Sequence, residues 1–347
     1  MRLNYELKTL RLIHPFILSD SRIESKDVII IRLQHDGITG IGESSPSRYY
    51  GEPPESVLEC LKEASGVIGR FTDPSKVKEI MQSVQDSFPK NCSARSGLDM
   101  ALHDWISKKM KQPLHQFFGL DKTKAPLTSF TIGIDELRII DEKTREADPY
   151  PILKIKLGVG DQDYEIVKTI RMLTDKTLRV DVNEGWTKEE AAKKIEWLAG
   201  QGVELIEQPL PKENNDDMLW LKERSVLPLF ADESVKTNSD IATLKGRFDG
   251  INIKLDKCGG LMPALQMIKT AREQGLKVML GCMIQTAIGT TAAANISPLI
   301  DYADLDGHLL IDDGQFRGME TINGKIILND NPGIGIFEND ALQTGKK

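Results

Sequence analysis

The sequence of 347 residues predicts an α/β fold in which an α+β domain precedes a closed parallel barrel of eight strands. Short apolar runs that end in a charged residue recur every 22 to 26 residues between Lys156 and Lys254, which fits one strand plus one helix. Before residue 120 the order differs, because strands come first and helices follow, as is typical of a separate α+β domain. These two patterns give the fold class and the division of the chain.

Residues 1–120 are predicted to form the α+β domain. Residues 28–33 and 39–43 have the pattern of two strands joined at the turn His35-Asp36-Gly37, since Asp-Gly favours a tight hairpin. Helical periodicity follows at about residues 54–68, 74–88 and 94–109. Residues 45–54, rich in Ser, Tyr, Gly and Pro, indicate an ordered loop between the strands and the helices.

Residues 121–316 are predicted to form the barrel. Their eight apolar strands are typical of a parallel sheet buried on both faces, and eight favour a closed barrel over the alternative, an open doubly wound sheet. A capping box at Thr187 and Glu190 marks the start of one helix. The segment is shorter than the ~250 residues of a full barrel, so we expect the last helix to be missing. Residues 317–347 are predicted to return to the first domain.

The composition excludes several classes of partner. The net charge of -7 gives no reason to expect nucleic acid or an anionic membrane as a partner. No stretch of 18 consecutive apolar residues indicates a membrane span. The four cysteines are far apart and lack paired metal spacing, which indicates reduced thiols and a cytoplasmic location.

The charged residues at the strand ends predict a metal site. They are Lys156, Asp181, Glu207, Asp232 and Lys254. In a parallel barrel the carboxyl ends of the strands meet at one face, where active sites lie. Three carboxylates there would repel one another unless they bind a cation, and Mg²⁺ takes oxygen ligands. Asn183, on the same face as Asp181, could add an oxygen. The alternative is a set of salt bridges with the lysines.

The lysines on both sides of these carboxylates predict acid/base chemistry. Lys154 and Lys156 face the same way because side chains alternate along a strand, and a cation beside a lysine lowers its pKa. Lys254 is expected roughly opposite Lys156 across the barrel. A substrate carboxylate on the metal would then have one amine on each face of its α-carbon, so one amine could remove a proton and the other return it.

Several segments around these residues resemble the muconate-lactonizing subgroup of the enolase superfamily. They are Lys154-Ile155-Lys156, the run from Asp181 to Trp186, Glu207-Gln208-Pro209, Asp232-Glu233-Ser234, Lys254 with Gly259-Gly260, and the helix 94–104. The resemblance implies a modified TIM barrel, (β/α)7β, with an α+β N-terminal capping domain. It implies Mg²⁺ on the three carboxylates, Lys156 and Lys254 as the acid/base pair, and Lys154 tuning Lys156 and touching the substrate carboxylate.

The eighth strand favours one reaction within that subgroup. Asp304 and Asp306 share a face and could bind a free α-ammonium group, and they resemble the Asp-x-Asp motif of dipeptide epimerases. We therefore expect a Mg²⁺-dependent epimerase that inverts the C-terminal residue of an Ala-Xaa dipeptide by two-base 1,1-proton transfer through a metal-stabilised enolate. An N-acylamino acid racemase, an o-succinylbenzoate synthase and a muconate-type cycloisomerase are the alternatives on this scaffold. A non-catalytic barrel and a phosphate-binding barrel near Gly281 and Gly289 are the others.

The second side chain of the dipeptide is expected to meet loops of the capping domain, near residues 16–24 and 49–52. Arg22 and Tyr49 are the candidate substrate-binding residues there, and Ser21 or Arg48 could take the place of Arg22. Ala-Glu, which would fit recycling of cell-wall peptides, and a small or hydrophobic second residue both stay open. We also expect a homo-oligomer.

Overall fold

The computed structural model describes residues 1–17 and 22–339. The first domain contains an antiparallel sheet of β1 (Arg2–Ile17), β2 (Arg22–His35) and β3 (Ile38–Ser44). The turn between β2 and β3 has Asp36 and Gly37 at φ 48° and 73°, the conformation that Asp-Gly favours in a tight hairpin. The predicted hairpin is therefore confirmed.

Three helices cover the sheet: α1 (Pro54–Ile68), α2 (Val77–Ser87) and α3 (Cys92–Lys109). Apolar side chains of β2 and of all three helices form one core. The second helix begins later than predicted, because the Asp73 side chain accepts a hydrogen bond from the Ser75 backbone N–H at 2.9 Å. This local turn competes with the helix for the backbone donors.

The second domain is an eight-stranded parallel sheet whose strands are neighbours in chain order. They are β4 (Phe130–Ile132), β5 (Ile152–Lys156), β6 (Thr177–Asp181), β7 (Val203–Glu207), β8 (Leu229–Ala231), β9 (Gly250–Lys254), β10 (Lys277–Gly281) and β11 (Tyr302–Asp304). Thr128, just before β4, forms a parallel bridge with Ala303 of β11, so the sheet closes. The alternative of an open sheet is thereby excluded. In a ring of eight, β5 and β9 are four strands apart and lie on opposite walls.

The remaining helices lie before and between the barrel strands. They are α4 (Leu114–Phe117), α5 (Leu137–Glu146), α6 (Gln162–Arg171), α7 (Lys188–Ala199), α8 (Asn215–Lys222), α9 (Leu255–Cys258), α10 (Leu261–Glu273) and α11 (Ala287–Ala294). The predicted capping box at Thr187 and Glu190 starts α7. Between β11 and residue 339 the structure has no α-helix, only a 3-10 turn and four short strands. The barrel therefore has the predicted (β/α)7β form.

The four short strands are β12 (Phe316–Arg317), β13 (Glu320–Ile322), β14 (Lys325–Ile327) and β15 (Phe337–Glu338). This segment contacts the first domain: Arg32 of β2 forms a 2.7 Å ion pair with Glu338, and Asp104 of α3 accepts the backbone N–H of Ile334 at 2.7 Å. These contacts support the proposed return of the segment to the capping domain, and the boundaries at residues 120 and 316 stay predictions.

Three cysteines are buried and Cys282 is half-buried, and all four are free.

Within residues 1–17 and 22–339, no helix combines the length and the apolar character that crossing a bilayer requires.

Candidate active site

Three carboxylates meet at the carboxyl ends of β6, β7 and β8. Asp181, Glu207 and Asp232 each offer an oxygen that lies within 4.8 Å of the others, and all three side chains are buried. Among the described residues, Glu207 Oε2 has no hydrogen-bond partner, although Lys154 Nζ lies 2.9 Å away. A buried carboxylate oxygen that has an ion pair but no hydrogen bond suits a ligand of a hard cation. The predicted ligand set therefore fits Mg²⁺.

Neighbouring amides hold these carboxylates in place. Asn252 of β9 donates to Glu207 Oε1 at 2.7 Å. Gln208 has a positive φ of 37°, and its Oε1 accepts the backbone N–H groups of Asp232 at 3.0 Å and of Ser234 at 3.1 Å. The strained Gln208 thus fixes the loop that carries Asp232, in keeping with the tendency of backbone strain to occur at functional sites.

Lys154 lies among the carboxylates rather than beside solvent. Its Nζ is 3.0 Å from Asp181, 2.9 Å from Glu207 and 2.7 Å from Asp304. Burial alone would lower the pKa of Lys154, but the surrounding carboxylates outweigh it and raise that pKa well above its usual value. Lys154 therefore keeps its charge and links the three-carboxylate group to the end of β11.

Lys156 and Lys254 reach the carboxylate group from opposite walls. Lys156 Nζ lies 2.6 Å from Asp181 Oδ2 and 2.9 Å from Asn183 Oδ1, whereas Lys254 Nζ lies 2.7 Å from Asp232 Oδ2. Burial lowers the pKa of Lys254, yet Asp232 opposes it and the net effect is a raised pKa. For Lys254 the carboxylates therefore outweigh both burial and the charge of the neighbouring Lys154.

Two of these carboxylates, Glu207 and Asp181, have pKa values shifted in opposite directions. Burial and the adjacent Asp181 raise the pKa of Glu207 to about 7. Burial would also raise the pKa of Asp181, but Lys154 and Lys156 outweigh it and hold this pKa below its ordinary range. The structure therefore places an aspartate with a lowered pKa beside a glutamate with a raised pKa.

Asp304 and Asp306 lie on the wall between the two lysine-bearing strands, since β11 is two strands from each. Asp304 Oδ1 accepts the Ser129 hydroxyl at 2.7 Å, and Asp306 Oδ2 accepts the Thr131 backbone N–H at 2.6 Å. Burial and the charge of Asp304 raise the pKa of Asp306 to about 7. A second cation bound here would relieve this repulsion.

The two predicted loop residues have different surroundings. The Tyr49 hydroxyl donates to Glu184 Oε2 at 2.5 Å and accepts from Lys212 Nζ at 2.9 Å, so it contacts the loops after β6 and β7. Arg22 is instead exposed at the start of β2 and pairs with Glu24 at 3.3 Å. Residues 16, 17 and 22–24 of the expected loop belong instead to β1 and β2.

Arg48 and Ser21 are the alternatives to Arg22. Arg48 is exposed and forms a 3.3 Å pair with Glu55, while Ser21 lies outside the described residues. The structure therefore brings Tyr49 to the barrel, and it joins both arginines to acidic residues of their own domain.

Sequence reasoning missed four residues of this site. Lys257 is buried and contacts both the backbone oxygen and Oδ1 of Asp232. Glu233 Oε1 accepts from Asn183 Nδ2 at 3.0 Å, and burial with the charge of Asp232 raises the pKa of Glu233 to about 8.

The other two missed residues are Asn252 and Tyr50. Burial, together with the charge of Asp232, raises the pKa of the Tyr50 phenol. Asn252 could have been found, since it is two residues before Lys254 on the same strand face. Lys257 lies on the turn beyond the strand, where that periodicity no longer applies.

Comparison with known families decides the chain's membership. Residues 5–119 match the family described as mandelate racemase / muconate lactonizing enzyme, N-terminal domain, and residues 139–341 match the family described as enolase C-terminal domain-like. The chain belongs to the enolase superfamily. The predicted family and fold class are thus confirmed.

Individual relatives of this superfamily member are named epimerases. The L-Ala-D/L-Glu epimerase of Bacteroides thetaiotaomicron is 44% identical over 96% of this chain and 86% of its own length. The L-Ala-D/L-amino acid epimerase of Pedosphaera parvula is 35% identical over 94% and 95%. We therefore class the chain as an isomerase.

A solved structure adds information on the metal. The dipeptide epimerase of Enterococcus faecalis, complexed with Mg and the dipeptide L-Leu-L-Tyr, superposes with a TM-score of 0.90 at 30% identity, covering 96% of this chain and 98% of the other. Together with the three-carboxylate group, this finding confirms the predicted Mg²⁺ cofactor.

Proposed function

We propose that this protein is a Mg²⁺-dependent dipeptide epimerase that inverts the α-carbon of the C-terminal residue of an Ala-Xaa dipeptide. The observation that carries the proposal is the position of Lys156 and Lys254 on opposite walls, with the three-carboxylate group between them. Two amines that face each other across one carbon are what a 1,1-proton transfer requires.

The three carboxylates would hold the metal. Asp181, Glu207 and Asp232 supply its protein oxygens, and Lys154 lies 2.9 and 3.0 Å from two of them, where it can also touch a substrate carboxylate. When bound, Mg²⁺ would stabilise the negative charge that develops on the substrate carboxylate as the α-proton leaves.

The two lysines would then exchange roles with the direction of reaction. Lys156 as a neutral amine removes the α-proton from one face, and Lys254 as an ammonium returns a proton to the other face. In the structure Lys156 Nζ donates to Asp181 Oδ2, and Lys254 Nζ donates to Asp232 Oδ2. Because Asp232 would share its negative charge with the metal once it is a ligand, it would raise the pKa of Lys254 less strongly.

Asp304 and Asp306 would bind the N-terminal ammonium of the dipeptide. Their position between the lysine-bearing strands leaves the carbon to be inverted near both amines. The alternatives fit less well: an N-acylated amino acid has no positive charge for this pair, and a cycloisomerase needs only one base. The proposal therefore keeps dipeptides ahead of the other substrates of the subgroup.

The second residue of the dipeptide would meet the capping domain, where Tyr49 and Arg22 are the proposed contacts. The relatives' names include both Ala-Glu and broader Ala-Xaa epimerases, so acidic, small and hydrophobic residues all belong in the test. We also propose a cytoplasmic homo-oligomer that acts on cell-wall peptides when Xaa is glutamate.

The direct test is a mass-spectrometric screen of Ala-Xaa dipeptides in D₂O with Mg²⁺. We expect the wild-type protein to exchange the α-hydrogen of the C-terminal residue and to invert that carbon, and we expect EDTA to stop both. Absence of exchange on every dipeptide of both C-terminal configurations would contradict the proposal.

Single-base variants test the two-base geometry. Lysine ammonium protons exchange with solvent, so Lys254→Ala should still exchange, with retention, the epimer whose proton faces Lys156. Lys156→Ala should do the same for the other epimer, and neither variant should epimerise. If both variants exchanged the same epimer, the amines would not lie on opposite faces.

A further inference from the structure

A loop of the capping domain that faces the barrel is tied at both ends to one residue. This cap loop, residues 45–52, carries Tyr49 and Tyr50. Just before it, the Ser44 hydroxyl donates to the Ser93 backbone oxygen at 2.7 Å. At its other end, Glu52 accepts the Ser93 backbone N–H at 2.7 Å. Ser93, in the first turn of α3, therefore fixes both ends of the cap loop.

Asp256 joins this assembly to the barrel. Its Oδ1 accepts the backbone N–H of Ser45 at 2.7 Å and the hydroxyl of Ser93 at 3.1 Å. Asp256 is buried and lies in α9, the short turn that directly follows β9. Lys254 precedes it by two residues and Lys257 follows it. One carboxylate oxygen thus connects the cap loop to the turn that holds a proposed base.

The capping domain also holds the far end of this turn. Asp99 of α3 accepts the backbone N–H of Leu261 at 2.5 Å. The preceding Gly260, at φ 121°, packs so closely on Asp99 that a Cβ there would lie 2.5 Å from Oδ2. On the barrel side, Lys254 and Lys257 both bind the carboxylate of Asp232. The turn is therefore fixed between Asp232 and α3.

We propose that Asp256 is a positioning residue that couples the cap loop to Lys254, so that its loss impairs proton transfer on the Lys254 face alone. The proposal rests on the function proposed above. Lys156 is on β5, and the contacts of its Nζ with Asp181 and Asn183 do not pass through the α9 turn. A displacement of about 1 Å at a reacting group can cost ~100-fold in rate, whereas Lys156, which β5 holds, would be displaced much less.

The test is the exchange of each epimer with retention, measured in Asp256→Ala. Epimerisation rates alone do not separate the faces, because the equilibrium between the two epimers fixes the ratio of kcat/KM in the two directions. Lys156→Ala and Lys254→Ala assign each epimer to its base. We expect exchange on the Lys254 face to fall ~10- to ~100-fold and exchange on the Lys156 face to stay within about threefold of wild type.

Glu43→Ala is the matched control. Glu43 is a second buried carboxylate at the same domain interface, and it accepts the backbone N–H groups of Thr286 at 2.8 Å and Gly289 at 2.9 Å. These contacts are to the start of α11 rather than to residues of α9, so any loss in this variant should affect both faces equally. Asp256→Asn keeps an acceptor oxygen for Ser45 and Ser93 and should recover most of the exchange on the Lys254 face.

Ser93→Ala keeps the test decisive if Asp256→Ala does not fold, since it removes one hydroxyl and leaves the carboxylate. It should show the same one-sided loss at smaller size. Equal loss on both faces in Asp256→Ala, or in Ser93→Ala where only that variant folds, would overturn the role of Asp256. A wild-type protein that exchanges no dipeptide would instead overturn the proposed function on which this role rests.

Discussion

The charged side chains at the barrel mouth stabilise one another in pairs. Lys156 pairs with Asp181, Lys254 with Asp232, and Lys154 with several carboxylates at 2.7 to 3.0 Å. Burying either sign alone would be expensive. The same carboxylates that fit a metal therefore also neutralise the amines. A ligand that binds here must change these ion pairs.

Metal binding should consequently raise stability. We expect saturating Mg²⁺ to increase the melting temperature, since a ligand at a hundred times its dissociation constant contributes about 2.7 kcal/mol to a folded state that alone binds it. Asp232→Asn should remove most of this increase, as measured by thermal denaturation with Mg²⁺ and with EDTA. An equal increase in the variant would place the ion elsewhere.

Asp306→Asn tests the ammonium site. The amide oxygen can still accept the Thr131 backbone N–H that Asp306 accepts at 2.6 Å, so the fold should be kept. The charge-assisted bond to a dipeptide ammonium would weaken by about 2 kcal/mol, so kcat/KM should fall ~30-fold. N-acetylated dipeptides, measured in the same exchange assay, should show no comparable loss. A similar fall for both substrates would argue against an ammonium at this position.

Among the connecting elements, the α9–α10 junction depends on glycine. Gly260 has φ 121° and ψ -166°, a region that essentially only glycine occupies. An added Cβ would also lie 2.6 Å from the Asp99 Cβ. The junction thus combines backbone strain with close packing of the two domains.

Gly260→Ala should lower the free energy of unfolding by about 3 kcal/mol or more, since strain and overlap add. Gly275→Ala is the matched control: Gly275 also has a positive φ, of 75°, but a Cβ there meets no atom of residues 1–17 or 22–339 within 4 Å. It should cost only about 1 kcal/mol. Urea midpoints of the two variants provide the comparison, and equal midpoints would contradict the packing argument.

At the scale of the whole molecule, two buried carboxyl groups join the domains, one from each domain. Glu43 reaches from the capping domain to the start of α11, and Asp256 reaches from the barrel to Ser45 and Ser93. Burial, the largest effect, raises the pKa of each to about 7, against the hydrogen bonds that they accept. Both carboxyl groups therefore hold a proton more tightly in the folded protein than in the unfolded chain.

This shift predicts a pH dependence of stability. Because the folded protein binds the Glu43 proton more tightly than the unfolded chain does, its contribution is complete below pH 4.5 and is lost as the pH rises to about 7. The change is about 3 kcal/mol at most. Urea midpoints should therefore fall between pH 5 and pH 7.5, and fall less in Glu43→Gln. Equal slopes in the two proteins would show that Glu43 does not titrate in this range.

The sequence by itself determined the barrel and its charged rim. Side chains two residues apart on a strand share a face, which predicts that Lys154 lies beside Lys156 and Asp304 beside Asp306. The carboxyl ends of parallel strands meet at one face of a barrel, which predicts that Asp181 lies near Glu207. These features are local, because each depends on one strand and on the repeated spacing to the next. The predicted eight strands correspond to β4–β11 for the same reason.

Only the tertiary structure shows which contacts close the barrel and which join it to the capping domain. The Thr128–Ala303 bridge that closes the sheet and the contact of Asp256 with Ser45 join residues that are 175 and 211 positions apart. Such pairs follow no local period, since they depend on how one domain packs on the other. The charged residues of the site can thus be identified from the pattern of single strands. Their positions relative to the capping domain are determined only when the chain is folded.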